Sequence, residues 1–549
     1  MFNKSNSKAK VIFITGGVVS SLGKGLTAAS LATNLQSRGF KVKLRKLDPY
    51  LNIDPGTMNP NQHGEVFVTN DGAETDLDLG HYERFTGVFA TKHDNITAGR
   101  VYQSVIKNER KGKYLGNTVQ VIPHVTDEIK FRIFNDLKKI DFLIVEVGGT
   151  VGDIESLPFL EAIRQLRNEM SKNQTIFIHL TLVPYLKAAD ELKTKPTQHS
   201  VKELRGIGIQ ADLLICRCEK KITNTDKEKM ALFCNISAKN IIQALDVTNI
   251  YELPLVLNKE KLDERVLYNL NIKKYRKANL KKWREISNLQ KNPKNSVNIG
   301  IIGKYIELKD AYKSLSEALY HSGIHNLTEI KIIWINAEKS INFKSALKHL
   351  NGILVPGGFG KRGILGKISS IKFARENNIP FLGICFGMQL AVIEYAQNVI
   401  NIKNASSSEF KIKNAENIIG LMTEWIKDGK NVKRTINTDY GGSMRLGRYE
   451  CILQNKSLIS KIYNKNIIEE RHRHRYEMNI KYESLFKKNG MLISGKSPDG
   501  MLPEIIELPR HKWFLGVQFH PELSSQPLKP HPIFNSFINA SLYNKKHAI

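Results

Sequence analysis

The stretch Val11-Ile-Phe-Ile-Thr15-Gly-Gly-Val-Val-Ser20-Ser-Leu-Gly-Lys-Gly25 decides the fold of the first part of the chain. Its apolar run predicts a short buried strand, and its glycines predict a tight turn. A helical pattern follows from Leu26 to Ser37, and a second apolar run spans Val42 to Leu47. A strand–helix–strand unit of this size implies a parallel sheet.

Further apolar runs without alternation lie at 141–145, 175–180 and 212–216, and later at 297–302, 352–355, 380–384 and 513–519. Strands that are buried on both faces have this pattern. The sequence therefore predicts an α/β fold with two doubly wound domains. The first, over residues 1–272, has a P-loop-like parallel sheet, and the second covers residues 297–549. Residues 273–296 carry nine Lys or Arg and one Glu, so we expect a basic linker there.

Composition excludes several classes of protein. Of the 549 residues 41% are hydrophobic, which excludes a largely disordered chain. Five cysteines at irregular spacing form no disulfide framework. No window approaches the ~20 apolar residues of a membrane span, and the N-terminus lacks an apolar signal region. We therefore expect a soluble cytoplasmic protein with no membrane partner. The net charge of +29 is spread along the chain, which favours a solvated surface over a nucleic-acid partner.

The glycine-rich turn after the first strand is suited to binding phosphate. Its backbone amides and the helix N-terminus attract anions, and Lys24 can reach terminal phosphates. The pattern departs from the usual GxxxxGK[ST] rule at Val18 and Gly25. Such a loop needs Mg²⁺, and the candidate carboxylates are Glu146, at the end of an apolar run, and four acids in loops: Asp76, Asp78, Asp153 and Glu155.

A second candidate site lies in the second domain. Gly383-Ile-Cys385-Phe-Gly387 has the form of a strained elbow that exposes a nucleophile at a helix N-terminus, where the helix dipole favours a thiolate. Gln518-Phe-His520-Pro-Glu522 supplies a base and an orienting acid. Val355-Pro-Gly-Gly-Phe-Gly360 offers free amides for an oxyanion hole. The tract Arg471-His-Arg-His-Arg475 is suited to an anionic substrate.

These motifs resemble known families. The second domain is similar to class I, triad-type glutamine amidotransferases through residues 383–389 and 518–522. The first resembles the amidoligase domain of the CTP synthase family through long runs at 15–25, 46–58, 62–68, 71–85 and 193–204. The resemblance covers nearly the whole chain. It implies ATP-dependent amination of UTP at position 4 to CTP, through a 4-phosphorylated UTP, with ammonia released from glutamine in the second, glutaminase domain.

The resemblance also implies roles for individual residues. It implies that ATP is bound by Ser21, Leu22, Gly23, Lys24, Gly25, Leu26, Asp78, Leu245, Asp246 and Val247, and Mg²⁺ by Asp78 and Glu146. UTP or CTP would be bound by Ser20, Asp153, Ile154, Glu155, Lys193, Thr194, Lys195, Pro196, Thr197, Gln198 and Lys229. Cys385 would be the nucleophile of a triad with His520 and Glu522. Glutamine would be bound by Gly358, Phe386, Gly387, Met388, Gln389, Glu409 and Arg475.

The resemblance implies GTP as an activator, CTP as a feedback inhibitor and a homotetramer. Two other functions stay open at this point. Another ATP-dependent glutamine amidotransferase would aminate a different acceptor, against which the run Lys193-Thr-Lys-Pro-Thr-Gln198 argues. A nucleic-acid-binding ATPase would account for the charge and the phosphate loop, but it leaves Cys385, His520 and Glu522 without a role.

Overall fold

The structure is a computed structural model that describes residues 9–137, 139–304, 308–338, 343–421, 424–427, 430–433 and 444–547. The chain forms two compact units. The first unit consists of the residues up to Asp54 together with Asp78–Ser287. The second unit consists of Pro55–Leu77 together with the residues from Asn288 onward.

The elements are given in chain order. The strands are β1 (Lys10–Gly16), β2 (Val42–Asp48), β3 (Phe67–Val68), β4 (Glu74–Thr75), β5 (Asn95–Thr97), β6 (Phe142–Val147), β7 (Thr175–Leu182), β8 (Tyr185–Leu186), β9 (Glu191–Leu192), β10 (Leu213–Cys218), β11 (Ile241–Leu245), β12 (Asn295–Gly303), β13 (Thr328–Asn336), β14 (Gly352–Val355), β15 (Phe381–Ile384), β16 (Ala405–Ser407), β17 (Glu416–Leu421), β18 (Glu424–Lys427), β19 (Lys430–Lys433), β20 (Arg445–Leu453), β21 (Ile467–His474), β22 (Tyr476–Met478), β23 (Leu492–Lys496), β24 (Pro503–Glu507) and β25 (Phe514–Val517). The helices are α1 (Lys24–Ser37), α2 (Pro60–His63), α3 (Asp78–Thr86), α4 (Ala98–Arg110), α5 (Thr126–Phe134), α6 (Leu157–Glu169), α7 (Lys195–Gly206), α8 (Asn224–Cys234), α9 (Leu253–Lys259), α10 (Leu262–Asn269), α11 (Lys281–Lys291), α12 (Lys313–His325), α13 (Phe343–Leu347), α14 (Ile364–Glu376), α15 (Phe386–Asn398), α16 (Leu458–Tyr463), α17 (Glu483–Lys488) and α18 (Pro532–Lys546).

The first unit is built on a parallel sheet with the strand order β11-β10-β7-β1-β6-β2-β5. Val11 and Phe13 of the central β1 belong to one core cluster with residues of α5 and α6. Ile12 and Ile14 are equally buried and point to the other face, because side chains alternate along a strand. The predicted parallel sheet is confirmed, and the first unit begins with the strand, loop and helix expected from the sequence.

The second unit contains a mixed sheet with the order β13-β12-β14-β15-β25-β24-β23-β20-β21. The pairings from β13 to β25 are parallel, and those from β25 to β21 are antiparallel. Ile353 and Val355 pack with α14 and α15, whereas Leu354 packs with α12 and α18. Helices therefore cover both faces of the parallel part, as the continuous apolar runs predict, and the antiparallel extension is a feature that those runs did not indicate.

The basic segment is folded over half its length. Helix α11 begins at Lys281, and its Trp283 and Ile286 are 5% and 4% exposed. The Trp283 ring packs on those of Phe85 and Tyr251, with centroids 5.3 and 6.2 Å apart. The lysines and arginines of the segment remain exposed. The segment that the sequence predicts as a linker thus contributes a helix to the core of the first unit.

Residues 55–77, which the sequence places in the first domain, fold with the second unit. Glu65 accepts the backbone N–H of Ser314 at 2.7 Å, near the start of α12, where helical N–H groups lack partners. Asn70 accepts from Arg471 at 2.6 Å. A carboxylate and an amide thus hold this segment by bonds to residues that follow it by more than two hundred positions.

The helices in the described part of the chain are short. The longest, α18, has 15 residues, whereas a membrane span takes about 20 apolar residues. Within the described residues no helix has both the length and the apolar character needed to cross a bilayer.

The packing of Trp283 leads to a prediction about stability. Trp283→Ala removes a buried ring and should lower the free energy of unfolding of the first unit by about 3 kcal/mol. Tyr275→Ala is the matched control, because this aromatic side chain of the same segment is 42% exposed and should cost less than about 1 kcal/mol. Urea denaturation followed by circular dichroism measures both, and equal losses would show that α11 does not contribute to the core.

Candidate active sites

The phosphate loop lies between β1 and α1 of the first unit. Gly23 precedes the helix with φ 94°, a conformation that favours glycine, and Lys24 is the first helical residue. The Lys24 ammonium donates to the carbonyl of Gly149 at 2.6 Å, and burial lowers the pKa of Lys24. A Cβ on Gly25 would overlap the Asp78 carboxylate, so only glycine allows this approach. The loop therefore has the backbone and the cation that phosphate binding requires.

Two buried carboxylates lie beside the loop. Asp78 and Glu146 both accept from the Lys46 ammonium, the second at 2.9 Å, and Tyr82 donates to the other oxygen of Glu146. Burial raises the pKa of Glu146, and the charge of Asp78 adds to this effect. Burial opposes ionisation of Asp78, but the charge of Lys46 outweighs the effect of burial. The pKa of Asp78 therefore lies below its ordinary value.

This pair of carboxylates fits a magnesium site. The described residues contain no group of three or more His, Cys, Asp or Glu arranged to hold a metal. Mg²⁺ is commonly held by one or two carboxylates, with substrate phosphates and water as the remaining ligands. Asp78 and Glu146 converge on one cation, the Lys46 ammonium, so they could hold a divalent cation beside the phosphate loop. The Asp76 carboxylate lies 3.4 Å from the His63 ring, and both residues belong to the second unit.

Three of the residues expected to bind ATP border a cavity of about 260 Å³ in the first unit. Ser21 and Leu22 of the phosphate loop line one part of it, and Asp246 at the end of β11 lines another. Arg217 joins them, because it pairs with Asp246 at 2.8 Å and donates to the carbonyl of Ser21 at 3.2 Å. Asp246, one of the three residues 245–247, thus shares one cavity with the phosphate loop.

The residues expected to bind UTP differ in exposure. Ile154 is 80% exposed, and Lys229 on α8 is also exposed. Thr197, on α7, is fully buried and donates to the Leu182 carbonyl at 3.1 Å. Gln198 is 8% exposed and donates to the hydroxyl of Thr194, the residue directly before α7. The side chains of Thr197 and Gln198 therefore stabilise the start of α7. Of the two lysines in this stretch, Lys193 pairs with Glu191, and Lys195 is exposed over the Phe233 ring.

Cys385 occupies the predicted elbow between β15 and α15. Its backbone has φ 51° and ψ −103°, which is a strained conformation for a residue other than glycine. Its N–H donates to the carbonyl of Val517 at 2.7 Å, so the nucleophile lies at the carboxyl ends of the paired strands β15 and β25. A Cβ on Gly387 would overlap the Val355 carbonyl, which explains the glycine after the nucleophile.

His520 and Glu522 follow the adjacent strand and are hydrogen-bonded through Nδ1 and Oε1 at 2.7 Å. Burial alone would lower the pKa of His520, but Glu522 and the Cys385 sulfur outweigh burial and raise it to about 10. A Cβ on Gly357 would lie 2.8 Å from the His520 ring and 3.7 Å from the Cβ of Cys385. Thiol, imidazole and carboxylate are therefore arranged for nucleophilic catalysis.

A cavity of about 460 Å³ opens onto this group of residues. Gly358, Phe359 and Arg475 line it together with Cys385 and His520. Glu409 accepts the N–H of the adjacent Gly360 at 2.7 Å, and burial raises its pKa. Phe386, Met388 and Gln389 are buried, so the start of α15 contributes mainly support and backbone amides.

Residues of the 55–77 segment complete this cavity, which sequence reasoning missed. Gly56, Thr57, Met58, Pro60, Glu65 and Val66 all line it. The tract at 471–475 explains how the segment is held. Arg473 pairs with Glu74 at 2.8 Å, and Arg471 donates to Asn70 and to the carbonyl of Val68. Two arginines that the sequence assigns to an anionic substrate thus bind protein groups, and Arg475 shares the cavity with Arg473.

Comparisons with known proteins agree with this arrangement. The family model described as CTP synthase N-terminus matches residues 10–272, and the one described as glutamine amidotransferase class-I matches residues 307–540. The CTP synthase of Pelagibacter ubique is 61% identical over 98% of this chain and 100% of its own length. The chain belongs to the CTP synthase family. It is thus a glutamine-hydrolysing ligase.

Two further relatives illustrate the range of similarity. The CTP synthase of Zymomonas mobilis is 57% identical over 97% of this chain and 99% of its own length. A solved structure, the Trypanosoma brucei CTPS glutaminase domain with bound acivicin, is 35% identical and covers 45% of this chain and 93% of that chain, with a TM-score of 0.40.

A buried network of charges lies behind the triad in this family member. Arg445 pairs with Glu504 at 2.8 Å and with Glu477 at 3.5 Å. Burial raises the pKa of Glu477 to about 8, whereas Arg445 outweighs burial at Glu504 and lowers its pKa to about 2. Burial also lowers the pKa of His472 to about 4. At neutral pH the network therefore contains one ion pair, a protonated Glu477 and a neutral His472.

The raised pKa of Glu477 predicts how the stability of the second unit depends on pH. The pKa of Glu477 rises from 4.5 to about 8 on folding, so the folded state keeps a proton that the unfolded chain releases. Stability is therefore lost as pH rises through this window. Glu477→Gln should match wild type at pH 5 and exceed it at pH 8.5, by on the order of 4 kcal/mol.

Urea denaturation at both pH values measures the effect, with Glu504→Gln as the control. That variant loses a carboxylate whose pKa is lowered to about 2, so its deficit in stability should be nearly the same at pH 5 and at pH 8.5. A constant, pH-independent difference between Glu477→Gln and wild type would contradict the protonated state of Glu477.

Proposed function

We propose that the two units divide the amination of UTP between them. The first unit transfers the γ-phosphoryl group of ATP to O4 of UTP and releases ADP. The second unit hydrolyses glutamine to glutamate and ammonia. Ammonia then adds to C4 of the 4-phosphorylated UTP, phosphate leaves, and CTP results. Phosphorylation converts a poor oxygen leaving group into phosphate, which is why this amination consumes ATP.

The observation that carries the proposal is the presence of two complete chemical sites in one chain. A phosphate loop with two buried carboxylates serves a phosphoryl transfer, and an elbow cysteine with an imidazole–carboxylate pair serves amide hydrolysis. A nucleic-acid-binding ATPase would need only the first of these. We accordingly assign ligase activity to residues 1–272 and glutaminase activity to residues 297–549, with residues 55–77 contributing to the glutaminase cavity.

In the glutaminase site the thiolate of Cys385 attacks the carboxamide carbon of glutamine. The imidazolium of His520 gives its proton to the departing ammonia and then activates the water that releases glutamate, while Glu522 orients the ring. The amides at Gly357 and Gly358 stabilise the oxyanion. Glu409 and Arg475 carry charges that match the amino and carboxylate groups of the substrate.

In the ligase site Lys24 and the amides of residues 20–26 hold the phosphates of ATP, and Asp78 and Glu146 hold Mg²⁺. The metal ion would offset negative charge on the transferring phosphoryl group. Residues 245–247 border the adenine. UTP, or CTP as feedback inhibitor, is held by Ser20, residues 153–155, residues 193–198 and Lys229.

Regulation and assembly follow the family pattern in this proposal. GTP activates the glutaminase, and four copies of the chain assemble into a homotetramer in the cytoplasm. All five cysteines are free thiols, which suits a reducing compartment.

Removal of the nucleophile tests the division of labour. Cys385→Ala should lower glutamine-dependent CTP formation on the order of a thousandfold or more, because no thiolate remains to attack the amide. CTP formation with ammonium chloride should stay close to that of wild type. Cys451→Ala is the matched control, since it removes the other thiol of the second unit and should preserve both reactions. If Cys385→Ala loses both reactions while Cys451→Ala keeps them, Cys385 has a structural role and is not the nucleophile.

A further inference from the structure

The sulfur of Cys385 has two polar neighbours besides the triad histidine. The Nε2 of Gln518 donates to Sγ at 3.6 Å, and the carbonyl of Arg473 accepts from it at 3.7 Å. These contacts act in opposite directions. A carbonyl oxygen favours the protonated thiol, whereas an N–H donor favours the thiolate because hydrogen bonds to a charged acceptor are the stronger ones.

The orientation of the Gln518 amide is fixed by its neighbours. Gln389 donates through Nε2 to the carbonyl of Tyr476 at 2.7 Å and to Oε1 of Gln518 at 3.2 Å. A reversed Gln518 amide would set its NH₂ against the NH₂ of Gln389. A reversed Gln389 would set its oxygen against the Tyr476 carbonyl. The carbonyl therefore directs an N–H of Gln518 toward the sulfur.

Gln518 is also held rigidly in position. Its side chain is fully buried, and its backbone N–H donates to the carbonyl of Glu504 at 2.8 Å. The preceding Val517 accepts the N–H of Cys385 itself. Nucleophile and amide are thus joined by backbone as well as side-chain bonds, so the donor does not need to be ordered when substrate binds.

We propose that Gln518 is a further catalytic residue of the glutaminase site: its amide N–H stabilises the thiolate of Cys385 and offsets the opposing carbonyl of Arg473. This inference rests on the glutaminase function proposed for the same cavity. It gives the first residue of the Gln-Phe-His-Pro-Glu run a role at the reacting atom, beside those of His520 and Glu522.

Other charged and titratable groups of the second unit do not replace this donor. His520 and Glu522 follow β25, and Arg473 and Arg475 line the cavity. On β21 His472 and His474 are buried, and burial lowers the pKa of each. From β24 and β22, Glu504 and Glu477 pair with Arg445. All of these groups remain when the Gln518 amide is replaced.

The rate of alkylation of Cys385 by iodoacetamide, measured against pH in the full-length protein, tests the inference. Gln518→Met removes the N–H at similar size, and Gln518→Glu replaces the donor by an acid of the same shape. The pH of half-maximal alkylation should rise by about one unit in the Met variant and further in the Glu variant. At pH 7 the glutaminase kcat/KM should fall about tenfold in Gln518→Met and partly recover at pH 9.

Gln397→Met is the matched control. Gln397 lies on the same helix as Gln389 but near the C-terminal end of α15, where it donates to the Ala405 carbonyl. Its alkylation profile and its activity should match wild type. Ammonia-dependent CTP formation should be unchanged in each variant, which shows that the first unit is folded, and an unchanged near-UV circular dichroism spectrum shows the same for the second unit. An unshifted alkylation profile in the Gln518 variants would overturn the inference. Absence of glutaminase activity in wild type would instead overturn the proposed function, since alkylation does not require that activity.

Discussion

The parallel pairing of β15 with β25 is the interaction on which the glutaminase site depends. The last bond of this ladder, from the Cys385 N–H to the Val517 carbonyl, fixes the elbow beside the strand that leads to His520. Carboxyl ends of neighbouring parallel strands meet at one edge of a sheet, so the nucleophile and its base are adjacent although 135 positions separate them. The helices on both faces bury the strands and keep this edge rigid.

Strand β21 shows how one short tract serves two purposes through alternation. Arg471 and Arg473 bind residues 68–74, whereas His472 and His474 on the other face enter the buried network. The arginines thereby hold the segment that completes the glutaminase cavity. That segment ends at Leu77, directly before Asp78, whose carboxylate lies beside the phosphate loop.

Local patterns made much of this predictable from the sequence. The strand, glycine turn and helix around Lys24, the elbow at Cys385 and the pair His520 and Glu522 are each encoded within a few residues. The role of residues 55–77 was not predictable, because it depends on bonds such as that from Glu65 to Ser314. Helix α11 was missed because the nine cations of residues 273–296 obscure one buried ring. Lys46 was missed because no spacing in the sequence relates it to Asp78 and Glu146.

One chain couples glutamine hydrolysis to the amination of UTP. The most direct test is CTP formation by the purified wild-type chain from UTP, ATP and Mg²⁺, run in parallel with glutamine and with ammonium chloride. We expect CTP from both nitrogen sources, with free glutamate appearing only in the glutamine reaction. Product with ammonium chloride alone would contradict the glutaminase assignment, and product with neither source, from folded protein, would contradict both assignments.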